Sequence, residues 1–144
     1  MTRRLALLVT TLAVAGLAAA PAHAGGKVIK GTYAVTLTPD PTLEAGAACE
    51  AVLPSAVDNH PFTVPGAGTL AVVLDSPDPT GTGNTDWDLE LLDADGSVNT
   101  GSEGGTSHEE ATAKYKKAQQ VTIQVCNLAG APNGTVSYVF TPKK

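Results

Sequence analysis

Along most of this chain apolar residues alternate with polar ones, the two-residue period of strands with one face buried and the other wet. The clearest case runs from Asn84 to Gly96, where Trp87, Leu89 and Leu91 alternate with Asp86, Asp88 and Glu90 ahead of an Asp95-Gly96 pair. Glycine takes positive φ at little cost, so a tight reversal is expected there. The chain's only Trp lies on the inward side of this strand and is the largest candidate core residue.

Upstream, Tyr33, Val35 and Leu37 interleave with threonines as a first strand, which Pro39-Asp40-Pro41 ends. Ala47 to Leu53 reads as a second strand and Phe62 to Val64 as a third, with Pro65 to Gly68 turning the third directly into Leu70–Leu74 as a hairpin. Asp75 to Thr85 is dense in turn-forming residues and reads as a surface loop.

Downstream of the Asp-Gly pair, Ser97 to Thr100 forms a brief strand and Gly101 to Ser107 a Gly-rich loop. Glu109 to Gln120 is rich in helix formers, with Glu110 four residues before Lys114, yet Ala111, Ala113 and Tyr115 also alternate. Set among regularly spaced strands, it reads as one more strand. Val121, Ile123 and Val125 precede Cys126, Asn127 to Gly134 turns the chain, and Val136, Tyr138 and Phe140 make the last strand. About seven or eight short strands with Gly- and Pro-rich connections predict an all-β fold, a jelly-roll-like antiparallel β-sandwich.

Residues 1–24 break this pattern. Arg3 and Arg4, an apolar run from Leu5 to Ala20 and Ala22-His23-Ala24 have the layout of a secretory signal peptide, against the alternative of a membrane anchor. Residues 25–30 then form a flexible linker and residues 31–142 the β-sandwich domain. Without the leader the chain keeps seven of nine basic residues and all fourteen acids, so 7 − 14 gives −7. No Lys or Arg occurs between Lys30 and Lys114. Such a charge disfavours nucleic acid and anionic membrane as partners.

Export would carry Cys49 and Cys126 into an oxidising compartment, where a disulfide is the default and buried thiols or metal ligands the alternative. The sequence does not specify which strands such a bond would join.

Candidate chemistry is sparse. His60, before Pro61, and His108, beside two glutamates, read as solvated loop residues, and neither accompanies a nucleophile elbow or a zinc-protease motif. Asp86 and Asp88 share one strand side and are the candidate metal ligands, with Asp75, Asp78 or Asn84 as further oxygens; Ca²⁺ fits that donor set, and a hydrated acidic strand surface is the competing reading. Asp93 to Ser97 departs from an EF-hand loop and reads as a hairpin turn. Phe62, Trp87, Tyr138 and Phe140 fall at core parity, which leaves no evident aromatic platform for sugars.

Phe62 to Leu70, the Asp86–Gly96 run with its Asp-x-Asp-Leu-x-Leu core, Val121–Val125 and Val136–Phe140 together resemble the bacterial pre-peptidase C-terminal domain, over roughly Thr32 to Thr141. A proprotein-convertase-like P domain shares the same Asp-Leu strand. The first resemblance implies a non-catalytic jelly-roll-like sandwich appended to secreted hydrolases, which is removed on maturation, assists secretion or binds polymers such as collagen or chitin. It also implies calcium in some members, through an acidic leading segment and later aspartates. Here the leading segment, Gly25 to Gly31, contains no acid. This copy is expected to stand alone, without a preceding peptidase domain. The expectation is a secreted, extracellular, monomeric, non-enzymatic module for an extracellular protein or polysaccharide, without catalytic residues or a required cofactor. Its alternative is a calcium-binding module or a metal-dependent enzyme using the acidic strand.

Overall fold

A computed structural model describes residues 26–40, 42, 49, 53–78 and 84–144. Eight strands build it: β1 (Ile29–Thr36), β2 (Val57–Val64), β3 (Gly68–Asp75), β4 (Asp86–Leu92), β5 (Val98–Thr106), β6 (His108–Tyr115), β7 (Gln119–Ala129) and β8 (Asn133–Pro142). They form two four-stranded sheets, β1-β8-β3-β6 (sheet A) and β2-β7-β4-β5 (sheet B), with every pair antiparallel. The ladders β1·β8, β2·β7, β3·β6 and β4·β5 are nested, as in one long hairpin rolled onto itself, and β3·β8 and β4·β7 close each sheet. That is the jelly-roll arrangement the pattern predicts.

Alternation sets the core. Leu70, Val72 and Leu74 of β3, Val136 and Phe140 of β8 and Ala111, Ala113 and Tyr115 of β6 point from sheet A onto Trp87, Leu89 and Leu91 of β4 and Val121, Ile123 and Val125 of β7. Trp87 is fully buried, and its Nε1 donates to Ala131 O at 3.2 Å. The ambiguous Glu109–Gln120 segment is strand β6 up to Tyr115, because helix would bury only part of the alternating set Ala111, Ala113 and Tyr115.

Several expectations need correction. β2 and β3 are not a hairpin, since β2 pairs with β7 and β3 with β6 and β8, so Pro65–Ala67 carries the chain from one sheet to the other. Alternation identifies inward residues but not hydrogen-bonding neighbours. The Gly101–Ser107 loop is largely strand, because β5 runs through Thr106. The turn placed at Asn127 begins later, since β7 continues to Ala129, and β1 begins at Ile29 inside the segment read as linker. The strand expected over Ala47–Leu53 lies mainly outside the described residues, and neither Cys49 nor Leu53 is in strand. His60 sits in β2 rather than in a turn, half-buried with its ring stacked on Tyr33 at 4.1 Å, and Tyr138 is half-buried rather than core.

The Asp-Gly reversal forms as expected. Gly96 takes φ +83°, Gly96 N donates to Asp93 O at 2.9 Å, and Asp95 Oδ1 accepts from Ser97 N at 3.0 Å. Among the described residues no helix is long and apolar enough to cross a membrane.

Candidate functional site: an acidic layer beneath the disulfide

β4 does more than supply the core. Its outward residues Asp86, Asp88 and Glu90 have the predicted parity but are not hydrated, at 8 %, 1 % and 3 % exposure. The register explains part of this. Cys126 of β7 stands directly opposite Asp88, and its disulfide brings Cys49, from between β1 and β2, over that face. The two sulfurs and an Asp88 carboxylate oxygen lie within 4.8 Å of one another. The bond therefore joins a connection to a strand, neither neighbouring strands nor opposite sheets.

On the other flank the β4·β5 register slips. Trp87 faces Thr106 but Leu89 faces Ser102, so Glu103, Gly104 and Gly105 bulge opposite Asp88. The Gly-rich composition that reads as a loop thus serves a bulge within a strand. Glu109 of β6, 2 % exposed, enters from sheet A beneath this bulge. Its carboxylate accepts from Ser102 Oγ and lies 2.6 Å from Thr106 Oγ1.

Burial dominates the electrostatics. Loss of water pushes Asp88 up to about 7, helped by the charges of Asp86, Glu103, Glu109 and Glu90. Asp86 is raised for the same first reason and then by Glu109. Asp88 Oδ2 and Asp86 Oδ1 are buried with no hydrogen-bond partner. Among the described residues no Lys forms an ion pair with Asp86 or Asp88.

The donors are all carboxylate oxygens, which suits a hard cation, and two of them are orphaned. The described residues nevertheless bring no three carboxylates within 4.8 Å of one another; the group that meets this spacing contains two sulfurs already bonded to each other. Of the expected extra ligands, Asp75 is turned away, its Oδ1 2.6 Å from His108 Nδ1, while Glu110 Oε1 holds His108 Nε2 at 3.2 Å. Both carboxylates raise the His108 pKa. Asn84 is exposed at the loop end.

Two residues of this region escape sequence reasoning. Asp40 reads as part of a strand-ending Pro-Asp-Pro, yet its Oδ1 accepts from Thr42 Oγ1 at 2.6 Å and Thr42 N at 3.0 Å and its Oδ2 from Leu53 N at 3.0 Å, which ties both ends of the stretch carrying Cys49. Those bonds hold its carboxyl below the usual range. Asn127, fully buried, donates from Nδ2 to Leu37 O at 3.2 Å and Ala131 O at 3.0 Å, linking that connection to the β7–β8 turn. Its only sequence signal is an Asn directly after a Cys.

No protein-family model matches the chain. No curated protein matches it either. Among solved structures it is similar to the pre-peptidase C-terminal domain of collagenase from Bacillus anthracis, the kind of domain its Asp86–Gly96 strand resembles, with a TM-score of 0.44 and 14% identity over 78% of this chain and 85% of that one.

Proposed function

We propose that this chain is a secreted, non-catalytic β-sandwich that binds an extracellular protein or polysaccharide. The observation that carries the reading is the asymmetry of the two outer faces. Sheet B is covered over Asp88 and Cys126, whereas the outward residues of sheet A are exposed or half-exposed along all four strands. Cross-strand register arranges them in rows, Lys30–Val139–Ala71–Thr112 and Thr32–Ser137–Val73–Glu110 among them. Short side chains on a rigid four-stranded sheet make a flat platform, and ordering costs little on contact. Among the described residues neither His60 nor His108 is placed on a nucleophile: His60 is stacked on Tyr33, and His108 is engaged by two carboxylates. The disulfide suits an oxidising compartment.

The test is retention of the folded protein on immobilised extracellular proteins and polysaccharides, with an Ala71→Glu variant placing a bulky charge at the centre of the platform. Binding that falls by about tenfold or more in the variant supports the reading, since a misplaced interface charge costs on that scale. No retention on any matrix, or retention unchanged by Ala71→Glu, removes it.

The orphaned carboxylate oxygens favour a second reading, a Ca²⁺-responsive module in which Asp86 and Asp88 supply ligands. A resident cation would neutralise the acidic layer and raise the melting temperature by linkage. Identical melting curves in Ca²⁺ and in chelator would dispose of it.

A further inference from the structure

We propose that the lysine-lined groove at the Tyr115–Pro142 end of sheet A binds the carboxylates of an acidic polysaccharide. The inference rests on the binding reading above and names the chemistry of its partner. The groove encloses about 440 Å³ and is lined by Lys114, Lys116 and Lys143 with Thr69, Thr141 and Gly68, and no acid contributes to it. That volume lies within the usual range of small-ligand sites, ~300–1,000 Å³.

The fold assembles the groove from distant segments. Register places Lys114, Thr69 and Thr141 in one row across β6, β3 and β8. Lys143 N donates to Ala67 O at 2.9 Å, which ties the C-terminal segment beside the β2–β3 crossover. Gly68 admits no side chain, because a Cβ there would lie 2.4 Å from the Phe140 ring and 2.6 Å from Thr141 O. Tyr115 adds to the wall, and its buried Oη has no hydrogen-bond partner.

Charge is segregated on this face. Five of the seven lysines, Lys114, Lys116, Lys117, Lys143 and Lys144, follow residue 113. Among the described residues no carboxylate pairs with any of them. The nearest acid along β6 on the same side is Glu110, four residues from Lys114, which at ~3.4 Å per residue is ~14 Å away. This exceeds the ~8 Å screening length at physiological ionic strength; Asp93, beyond β4, reaches Tyr115 electrostatically but does not line the groove, whose own side chains leave a local excess of positive charge on an acidic protein. Three ammonium groups and two hydroxyls match a polymer bearing one carboxylate and several hydroxyls per sugar. Duplex DNA, with a charge every ~1.7 Å, would press many phosphates against the acidic remainder of the surface.

The experiment measures affinity of the oxidised protein for polygalacturonate, neutral dextran and duplex DNA. Polygalacturonate binding is expected to weaken with added salt and to fall about tenfold or more in K114Q/K116Q/K143Q, while Lys117→Gln, outside the lining, costs less than Lys114→Gln. All these lysines are exposed, and unchanged melting curves establish that the variants fold. Equal binding to dextran or DNA, or equal losses in the two single variants, overturns the inference. Retention on a neutral or protein matrix with none on polygalacturonate also overturns it and leaves the broader binding reading standing. No retention anywhere removes both.

Discussion

At pH 8, in chelator, an Asp88→Asn variant is expected to be more stable than the parent protein. Asp88 is 1 % exposed, stands under a disulfide and carries an orphaned Oδ2, and its folded pKa is pushed from 3.8 to about 7. A carboxyl whose folded pKa is raised weakens the fold as pH rises. Below pH ~4 it is protonated in both states and costs nothing, between ~4 and ~7 the unfolded chain releases its proton while the folded one holds it, and above ~7 the whole penalty applies. Roughly three units at 1.36 kcal/mol each give about 4 kcal/mol, a large share of the 5–15 kcal/mol typical of a domain.

Asn keeps the size and hydrogen-bonding capacity of Asp without its charge, so it should remove most of that pH dependence. Urea unfolding at several pH values between 4.5 and 9 reads the difference directly. The two proteins should differ by about 1 kcal/mol at pH 4.5 and diverge by up to about 4 kcal/mol at pH 8. An Asn variant less stable than the parent at pH 8, or a gap that does not widen with pH, would falsify the claim that this carboxylate is held against its solvation. If Ca²⁺ occupies the layer, adding it should reverse the order, because the variant loses a ligand.

Three other outcomes follow from the same geometry. Converting Cys49 and Cys126 to Ser opens a loop of 77 residues and should cost about 4 kcal/mol in urea unfolding at acid pH, whereas a loss below about 1 kcal/mol would mean that the bond only decorates the fold. Gly68→Ala drives a Cβ into the Phe140 ring and should destabilise by about 1–3 kcal/mol, and a neutral result in thermal melts would place that ring elsewhere. His108, between Asp75 and Glu110, should titrate by NMR above its ordinary 6.5, and Asp75→Asn should lower the midpoint; an unmoved midpoint would mean that the contact does not persist in solution.

What the sequence discloses here is parity, and what it conceals is company. Trp87, Leu89 and Leu91 announce which side of β4 is inward, and Ala111, Ala113 and Tyr115 do the same for β6 despite a helix-favouring composition. Strand pairing is different. Phe62–Val64 and Leu70–Leu74 are adjacent and separated by a turn, which looks like a hairpin, but a rolled jelly roll sends consecutive strands to opposite sheets and leaves β4·β5 as the one sequential pair. The acidic face fails for a similar reason. Alternation fixes that Asp86, Asp88 and Glu90 point away from the core; that Cys49, some forty residues upstream, and the β5 bulge cover them depends on tertiary contacts with no local signature. The lysine groove is hidden likewise, because Lys114 and Lys143 become neighbours only through the flanking β3.

The disulfide and the acidic layer are energetically one device. Closing the 77-residue loop contributes about 4 kcal/mol by limiting the unfolded chain, and the cover it places over Asp88 costs about 4 kcal/mol once that carboxyl ionises. The two terms should then not add. At pH 4.5 Asp88 is neutral, so losing the bond forfeits its full contribution; at pH 8 unlatching the connection also lets water reach Asp88 and returns part of the penalty. Removing the disulfide should therefore be markedly less costly at pH 8 than at pH 4.5, and Asp88→Asn should abolish that difference. A disulfide contribution independent of pH, in the parent and in Asp88→Asn alike, would separate the staple from the acids and show that something other than the bond keeps water from them.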